Sequence, residues 1–326
     1  RGTARRLPPR RSLRRNISRS GGNIAVAKAA YRTMMQSRSQ FSDDPVMDGE
    51  QYSDTSGGSA GAARYTHGHG AAVLSAHSRR GAEDSAAYLL PHLNAGMDLL
   101  DVGCGPATIT ADLADRVTPG RVVGLDAASG ALEAARATLA ERDLPARVEL
   151  TDGDVMSLPF DDGTFDVAHA HQVLQHLSDP VGALAEMRRV TRPGGIVAVR
   201  DAVYSAMAWY PEPEGMKLWR SVYMATARAN GGEPDAGGRL LAWAHRAGFT
   251  EVTASASTWC YATAADRAWQ SETWAQRCLT SFGPQAVELG LARKDDLETM
   301  AQAWRQWGGS QDAWFVVVHG EVIAHA

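Results

Sequence analysis

The stretch LLDVGCGPATIT, Leu99 to Thr110, decides how the rest of the chain is interpreted. An apolar strand pattern runs into two glycines, and a helical pattern follows. A strand that enters a helix through a glycine turn is typical of nucleotide-binding α/β proteins. The strand carries an acid, Asp101, directly before the turn, and a carboxylate there would repel a diphosphate. The question that this stretch raises is which ligand such an acid suits.

Three interpretations of this turn imply different ligands. An ordinary strand-to-helix turn needs only Gly103 and Gly105, which alone are weak indications of any ligand. A dinucleotide fingerprint, Gly-x-Gly-x-x-Gly, would hold a pyrophosphate, but its sixth position here is Thr108. The third interpretation is a turn for S-adenosylmethionine, because Asp101 can balance the ammonium group of that ligand directly or through water and backbone groups.

Strand and helix patterns alternate after the turn. Strand patterns stand at MDLLDV, RVVGLD, RVELTDGD, FDVAHAHQVL and IVAVRDAV, and single helical segments separate most of them. Strands separated by single helices pair in parallel with right-handed crossovers. The pattern therefore predicts an α/β fold, a Rossmann-like three-layer sandwich with a mostly parallel seven-stranded sheet. We expect helices before the first strand and a helical insertion before the last segment, DAWFVVVHGEVIAHA, which has the pattern of a long strand or hairpin.

Composition divides the chain into a leader and one folded domain. Residues 1–62 are rich in Arg, Ser and Gly, which predicts a disordered leader and linker. Residues 63–326 are predicted to form the domain, with its core at 95–205. Helical patterns at about 211–247 and 263–310 predict elements that lean over the sheet edge as a lid.

Charge is distributed unevenly along the chain. Residues 1–40 hold eleven Arg and Lys residues and no acid, so the overall net charge of −4 leaves −15 for residues 41–326. An acidic domain is a poor partner for nucleic acid, so we expect no nucleic-acid partner. The Arg-rich and Ser-rich start is also typical of a transit peptide, so a mitochondrial location is the alternative to the cytoplasmic one that we expect.

The hydrophobic content and the cysteines are those of a globular protein without a membrane span. With 44% hydrophobic residues the domain can bury a large core. No apolar run approaches the roughly eighteen residues of a membrane span, so we expect none. The three cysteines lack metal-ligand spacing, which fits free thiols in a reducing compartment. We expect a monomer or homodimer that acts on a small molecule.

Five motifs in a fixed order carry a resemblance to a known family. They are LLDVGCGPATIT, VVGLDAA, ELTDGDVMSLPF, FDVAHAHQVLQHLSDP and RRVTRPGGIVAVRD, and they span roughly Leu99 to Val203. The chain resembles the class I S-adenosylmethionine-dependent methyltransferases, particularly the group of ubiquinone and menaquinone biosynthesis. The resemblance implies S-adenosyl-L-methionine as the cofactor and transfer of its methyl group to a small organic acceptor by in-line displacement.

The resemblance also implies which residues hold the cofactor. Asp126 ends the second strand, where an acid of the family binds both ribose hydroxyls, and a carboxylate suits two donors on one edge. Asp154 would accept a hydrogen bond from the adenine amino group, and the amide of Val155 would serve a ring nitrogen. The complete expected set is Tyr65, Asp101, Gly103, Cys104, Gly105, Asp126, Ala127, Gly153, Asp154, Val155, His171 and Gln172.

Candidates for the acceptor side come from the same sheet edge. His171 ends the fourth strand and is the candidate catalytic base, with a packed or merely hydrogen-bonded imidazole as the alternative. His69, Arg200 and Tyr204 are the candidate substrate contacts. Trp259, Trp269 and Trp274 lie in or near the expected lid, and aromatic walls suit a flat or apolar acceptor.

Two histidine pairs also raise the question of metal binding. His67 and His69 precede the core, and His169 and His171 share one face of the fourth strand. Neither pair has a carboxylate or cysteine at a suitable spacing, so no metal is expected.

Ala107 stands where the resembling family commonly has a third glycine. Alanine avoids the left-handed backbone region and adds a methyl group close to the ligand, so we expect retained but weaker cofactor binding. Ala107 keeps a non-catalytic S-adenosylmethionine-binding subunit open as an alternative. A nicotinamide-dependent oxidoreductase is the other alternative, against which Asp101 and the missing glycine argue.

Overall fold

The sheet is built around Leu99–Val102, a strand whose four residues are all buried. A strand buried on both faces belongs in the centre of a parallel sheet. The computed structural model describes Thr66, residues 80–142 and residues 148–326, and these residues include seven strands. They are β1 (Leu99–Val102), β2 (Val122–Asp126), β3 (Val148–Asp152), β4 (Phe165–His171), β5 (Thr191–Tyr210), β6 (Val252–Tyr261) and β7 (Trp314–His325).

The strands form one sheet in the order β3-β2-β1-β4-β5-β7-β6. β1 pairs in parallel with β2 and β4, and the parallel ladders continue to β3 and β5. β7 is antiparallel to both of its neighbours, β5 and β6. The expected α/β sandwich with a mostly parallel seven-stranded sheet is therefore confirmed. Strand order reverses between β1 and β4, where ligands bind in such folds.

Nine α-helices accompany the strands in the described residues. Local sequence explains where they begin: Asp179 caps one helix by accepting the N–H of Gly182 at 2.8 Å, and Pro180 follows as its first residue. The helices are α1 (Ala82–Ser85), α2 (Thr108–Val117), α3 (Ser129–Glu141), α4 (Pro180–Val190), α5 (Met216–Ala229), α6 (Leu240–Arg246), α7 (Ala264–Thr280), α8 (Phe282–Glu288) and α9 (Lys294–Gly309). Short 3₁₀ turns lie at Leu90–His92, Leu174–His176 and Ala236–Gly238.

Each face of the sheet has its own apolar layer, because successive strand residues point to opposite faces. On one face, Leu99 and Val167 pack with Leu113 of α2 and with α1. On the other face, Leu100 and Val197 pack with α4 and α6. α6 falls within the expected lid at 211–247, but its apolar side chains fill this layer instead.

The helices α5, α7, α8 and α9 form a second core with the outer parts of β5 and β7. Trp219 of α5 lies at its centre, with ring centroids 4.8 Å from Trp274 and 4.7 Å from Trp304. Trp209 of β5 stacks on Phe315 of β7 at 5.8 Å. These aromatic contacts hold the helical insertion against the two longest strands.

The two segments that flank the helical insertion differ in detail from the sequence pattern. The final segment is one long strand, β7, because it lies between β5 and β6 and pairs with both. The RPGG segment falls within the bounds of β5. However, Thr191 pairs with Phe165 and Ile196 with Val167, so the residues between leave the ladder, as expected of a turn.

The expected leader, residues 1–62, lies outside the described residues. So do residues 71–79, which belong to the helical pattern expected before the first strand at residues 71–93. The described residues belong to one compact unit that begins at Ala60, and the boundary at residue 63 stays a prediction. Within the described ranges no helix is long and apolar enough to cross a membrane. The three cysteines are free.

Candidate active site

The glycine turn after β1 lies where the strand order reverses. Gly103 and Gly105 both have left-handed backbone, with φ of 67° and 54°. A Cβ atom on Gly103 would overlap the Cγ2 atom of Val173. The N–H of Gly103 donates to the carbonyl of Leu125 at 2.7 Å, which ties the turn to β2. Both glycines are therefore favoured by backbone conformation, and Gly103 is also required by space.

The carboxylate of Asp126 holds the same turn from the end of β2. Its Oδ2 accepts the N–H of Gly105 at 2.9 Å, and its Oδ1 accepts the N–H of Ala128 at 2.9 Å. A carboxylate oxygen can accept two hydrogen bonds, so each oxygen keeps one acceptor position. Asp126 can thus fix the turn and still bind two donors of a ligand.

Ala107 is the N-cap residue of α2 and adopts the left-handed conformation, with φ 59° and ψ 24°. The expectation that alanine avoids this region is wrong at this position. The residue is fully buried, and its N–H donates to the carbonyl of Cys104 at 2.9 Å. The turn therefore imposes the conformation at a cost of about 1–2 kcal/mol for a non-glycine residue.

Asp101 is 3% exposed, and both of its carboxylate oxygens are engaged within the chain. The hydroxyl of Thr110 donates to Oδ2 at 2.5 Å, and Nδ1 of His169 lies 2.8 Å from Oδ1. Asp101 thus joins β1 to α2 and β4. Its contact with a ligand stays a prediction, and a route through neighbouring groups suits its burial better than a direct one.

The third group of expected cofactor residues follows β3. The N–H of Gly153 donates to the carbonyl of Asp126 at 3.3 Å, and a Cβ atom on Gly153 would lie 2.8 Å from Cδ1 of Leu125. Asp154 is exposed, and its Oδ1 accepts the N–H of Met156 at 2.9 Å. Val155 is buried. These residues lie beside the turn, next to the end of β2.

Cys104 and Ala127 complete the edge. The thiol of Cys104 is buried, and burial, followed by the charges of Asp101 and Asp126, raises its pKa. A raised pKa keeps the thiol protonated, so Cys104 acts as an apolar residue of the turn rather than as a nucleophile. Ala127 is exposed after β2.

His171 ends β4 and is 7% exposed. Neither of its ring nitrogens has a hydrogen-bond partner in the described part of the chain. Burial is the main cause that lowers its pKa well below 6.5, and the charges of Arg80 and Arg200 add to it. The imidazole is therefore neutral near pH 7, with both ring nitrogens buried and one of them unprotonated.

Gln172 follows with left-handed backbone, φ 55°, and its N–H donates to the carbonyl of Arg200 at 2.7 Å. Its side-chain amide donates to Nε2 of His319, 2.9 Å away. Burial, followed by the charges of Arg200 and Arg80, lowers the pKa of His319 to about 2, so this ring accepts the bond as a neutral group.

Arg200 is fully buried and is paired within the chain. Its Nε lies 3.1 Å from Oε1 of Glu321, and its Nε also donates to the hydroxyl of Ser257 at 3.1 Å. Its guanidinium lies 4.7 Å from the ring centroid of Trp259. Arg200 does not line the cavity described next, and its contact with a substrate stays a prediction.

A cavity of about 380 Å³ opens beside Gln172, between β5, β6 and α7. We call it the aromatic cavity because six of its lining side chains are aromatic. These are Tyr204, Trp259, Tyr261, Trp269, Trp274 and Phe315. Tyr204, a candidate substrate contact, is buried in this wall and stacks on Tyr223 at 4.4 Å.

Two expected residues cannot be placed, since Tyr65 and His69 lie outside the described residues, as does His67. Thr66 between them is described. Its hydroxyl accepts a hydrogen bond from Asn230 at 3.1 Å, and its carbonyl accepts one from Gln285 at 3.1 Å. In the described ranges, no group of three potential ligands could hold a metal ion.

Comparison with known proteins identifies the family. The sequence matches the family model of a methyltransferase domain over residues 100–199. The chain is 33% identical over 269 residues to an uncharacterized methyltransferase of Schizosaccharomyces pombe, an alignment that covers 79% of this chain and 95% of that protein. The chain belongs to the S-adenosylmethionine-dependent methyltransferases. The glycine turn is therefore that of a methyltransferase and not that of a nicotinamide-dependent oxidoreductase.

Other relatives of this methyltransferase cover different parts of it. A probable methyltransferase of Aspergillus luteorubrus is 30% identical over 281 residues, which are 80% of this chain and 96% of that protein. A demethylmenaquinone methyltransferase of Lactococcus lactis is 36% identical over 118 residues, 36% of this chain and 46% of that protein. The solved YcgJ protein of Bacillus subtilis has a TM-score of 0.50 at 17% identity, covers 77% of this chain and 98% of its own, and shows the fold alone.

Several site residues of the methyltransferase are not singled out by its sequence motifs. Thr110 ends the first motif without an expected role there, and it binds Asp101 from α2. Glu321 and His319 lie outside the motifs and reach the site from β7. The available signal for the last two is that they alternate as polar residues within the otherwise apolar strand FVVVHGEVIA. Their partners are more than one hundred residues away, which no local pattern specifies.

Proposed function

We propose that this methyltransferase holds S-adenosylmethionine at the carboxyl ends of β1 to β4 and methylates a small aromatic acceptor in the aromatic cavity. The observation that carries the proposal is the position of Gln172. It follows His171 at the end of β4, and it also lines the aromatic cavity. The carboxyl ends of β1 to β4, which we call the strand-end edge, therefore adjoin the cavity at this residue.

The residues of the strand-end edge fit the cofactor. Asp126 keeps two acceptor positions, which suit the two hydroxyl donors of a ribose. Gly103 and Gly105 expose backbone at the start of α2, where a carboxylate is favoured by the helix dipole. S-adenosylmethionine bound there supplies a methyl group on a sulfonium, whose leaving group is neutral.

His171 is the residue we propose as the proton acceptor. Its ring is neutral and buried, and its nitrogens have no partner among the described residues. A base is needed only if the acceptor carries its proton in the resting state. The main work of the protein is therefore to align the acceptor and to exclude water, and the aromatic wall around Tyr204 and Trp274 suits both tasks.

A substitution in the aromatic cavity tests the proposal. Thr273 of α7 lines the cavity, whereas Thr280 of the same helix is exposed. The protein is incubated with S-adenosylmethionine that carries an isotopically labelled methyl group and with a metabolite extract. The wild type and Thr280→Trp should label a small aromatic product, and Thr273→Trp should label it about tenfold less or worse, with unchanged S-adenosylhomocysteine affinity.

Two results would contradict the proposal. Equal labelling by Thr273→Trp would mean that the acceptor binds elsewhere. Binding of S-adenosylhomocysteine without transfer of label to any molecule would favour the non-catalytic binding subunit.

A further inference from the structure

Arg277 of α7 is a buried guanidinium that lines the aromatic cavity. The residue is 7% exposed, and its Nε has no hydrogen-bond partner in the described part of the chain. Its guanidinium lies 5.0 Å from the ring centroid of Trp274, on which it is supported. A buried charge without a hydrogen-bonded counterion is unfavourable, so this cation calls for a partner.

The acids of the cavity do not supply that partner. Asp84 and Asp266 also line the cavity, but no ion pair joins either of them to Arg277 within the described residues. Oδ1 of Asp84 accepts hydrogen bonds from Gly81 and Ser85. Oδ2 of Asp266 accepts a hydrogen bond from the hydroxyl of Thr263 at 2.6 Å. Both carboxylates thus bind groups near the starts of their own helices.

A second cation lines the cavity, in addition to Arg277. Arg80 lines the cavity together with Arg277, and its guanidinium lies 5.2 Å from the ring centroid of Trp259. Burial, followed by the charges of Arg80 and Arg277, lowers the pKa of His176 to about 3. Arg80 and Arg277 therefore both act as positive charges on this neighbouring ring, and such charges favour an anion beside them.

We propose that the acceptor binds as an anion, with an ionised oxygen on the guanidinium of Arg277 and its ring against the aromatic wall. The inference rests on the proposed function and specifies its substrate class. A planar guanidinium on an aromatic face suits a carboxylate or an aromatic oxyanion. Arg277 is then a residue that determines acceptor specificity, separate from the residues at the strand ends.

The test compares anionic and neutral naphthol ligands, of which the carboxylate and the amide have the same shape. S-adenosylhomocysteine is first titrated into the full chain by calorimetry, and the saturated protein then receives each probe. The probes are 1-hydroxy-2-naphthoate as the carboxylate, 4-nitro-1-naphthol as the oxyanion and 1-hydroxy-2-naphthamide as the neutral match. One or both anions should bind about tenfold or more tightly than the amide, and which of them does so identifies the group that Arg277 takes.

Three variants assign the preference to Arg277. Arg277→Gln should remove the preference for the anion, and Arg277→Lys should keep part of it because it keeps the charge. Arg305→Gln is the matched control, since Arg305 is an exposed arginine paired with Glu272. Arg277→Gln should also keep or raise the melting temperature, because it removes an uncompensated buried charge.

Different results overturn the two proposals. Failure of S-adenosylhomocysteine to bind the wild type overturns the proposed function. Normal binding of S-adenosylhomocysteine overturns only the present inference in any of four cases. These are equal binding of the amide, no binding of either anion at millimolar concentration, an unchanged preference in Arg277→Gln, and a lower melting temperature of that variant.

Discussion

The two halves of the site are built in different ways. At the strand-end edge, the contacts that fix the glycine turn join residues close in sequence: Asp101 binds Thr110 nine residues away, and Asp126 binds Gly105 across 21 residues. The longest contact of Asp101, to His169, spans 68 residues. Next to the aromatic cavity, Arg200, whose guanidinium lies 4.7 Å from the ring centroid of the lining residue Trp259, binds Glu321 across 121 residues. The indole of Trp259 donates to the carbonyl of Asp84 across 175 residues.

The difference in contact range between the two halves corresponds to two kinds of ligand recognition. The strand-end edge depends on backbone conformation and on acids fixed by short loops, and this arrangement suits a ligand common to the whole family. The aromatic cavity depends on side chains that only the complete fold brings together. Under the proposed function, the choice of acceptor depends on the aromatic cavity, and substitutions should affect the two halves separately.

The largest expected effect on stability is at the long-range pair of Arg200 and Glu321. Glu321→Gln leaves the buried guanidinium of Arg200 without its countercharge, which should lower the free energy of unfolding by about 3–5 kcal/mol. Glu272→Gln breaks an exposed pair with Arg305 and should cost less than about 1 kcal/mol. Urea unfolding measures both, and equal losses would mean that burial does not distinguish the pairs.

The next largest effect on stability is at the glycine turn of the strand-end edge. Gly103→Ala introduces a Cβ atom that overlaps Val173 at a φ of 67°, and it should cost about 2–4 kcal/mol of stability. Gly194 has a φ of 79° with open space around it, so Gly194→Ala should cost only the backbone part, about 1–2 kcal/mol. Should both variants lose the same stability, the tight packing of the turn would play no role.

The same contrast explains what the sequence predicts. The glycine turn, Asp126 and the alternating strands follow from local patterns, and the predicted sheet is confirmed. The left-handed conformation of Ala107 could not be predicted, because tertiary packing overrides the preference of the residue. Glu321 and the packing of α6 depend on the position of β7 between β5 and β6, which no local pattern specifies.

An effect that is smaller per pH unit concerns Asp201 on β5. Burial is the main cause that raises its pKa to about 8, above the ordinary 3.8, and its buried Oδ2 has no partner among the described residues. Its protonated form stabilises the fold fully below pH 4, and this contribution is lost as the pH rises through 8. Relative to Asp201→Asn, the wild type should lose at most about 1.4 kcal/mol per pH unit between pH 5 and 8. The free energy of unfolding is measured by urea unfolding at each pH. The same pH dependence in the wild type and in Asp201→Asn would contradict the raised pKa of Asp201.

The smallest effect is expected at Ala107. Ala107→Gly removes backbone strain of about 1–2 kcal/mol, but it also removes a buried methyl group and adds chain entropy to the unfolded state. Those two losses are each of order 0.5–1 kcal/mol, so the net change in stability should stay below about 1 kcal/mol. Thermal unfolding that shows a gain above about 2 kcal/mol would reveal a strained turn instead.

The most direct test of the account is the affinity for S-adenosylhomocysteine, measured by calorimetry in a matched pair of variants. Asp126→Asn removes a carboxylate that binds the turn, whereas Asp152 is its exposed neighbour in register on β3. Asp126→Asn should weaken binding by about 1–3 kcal/mol, and Asp152→Asn should leave it unchanged. Unchanged affinity in Asp126→Asn, or an equal loss in both variants, would contradict the claim that Asp126 holds the cofactor.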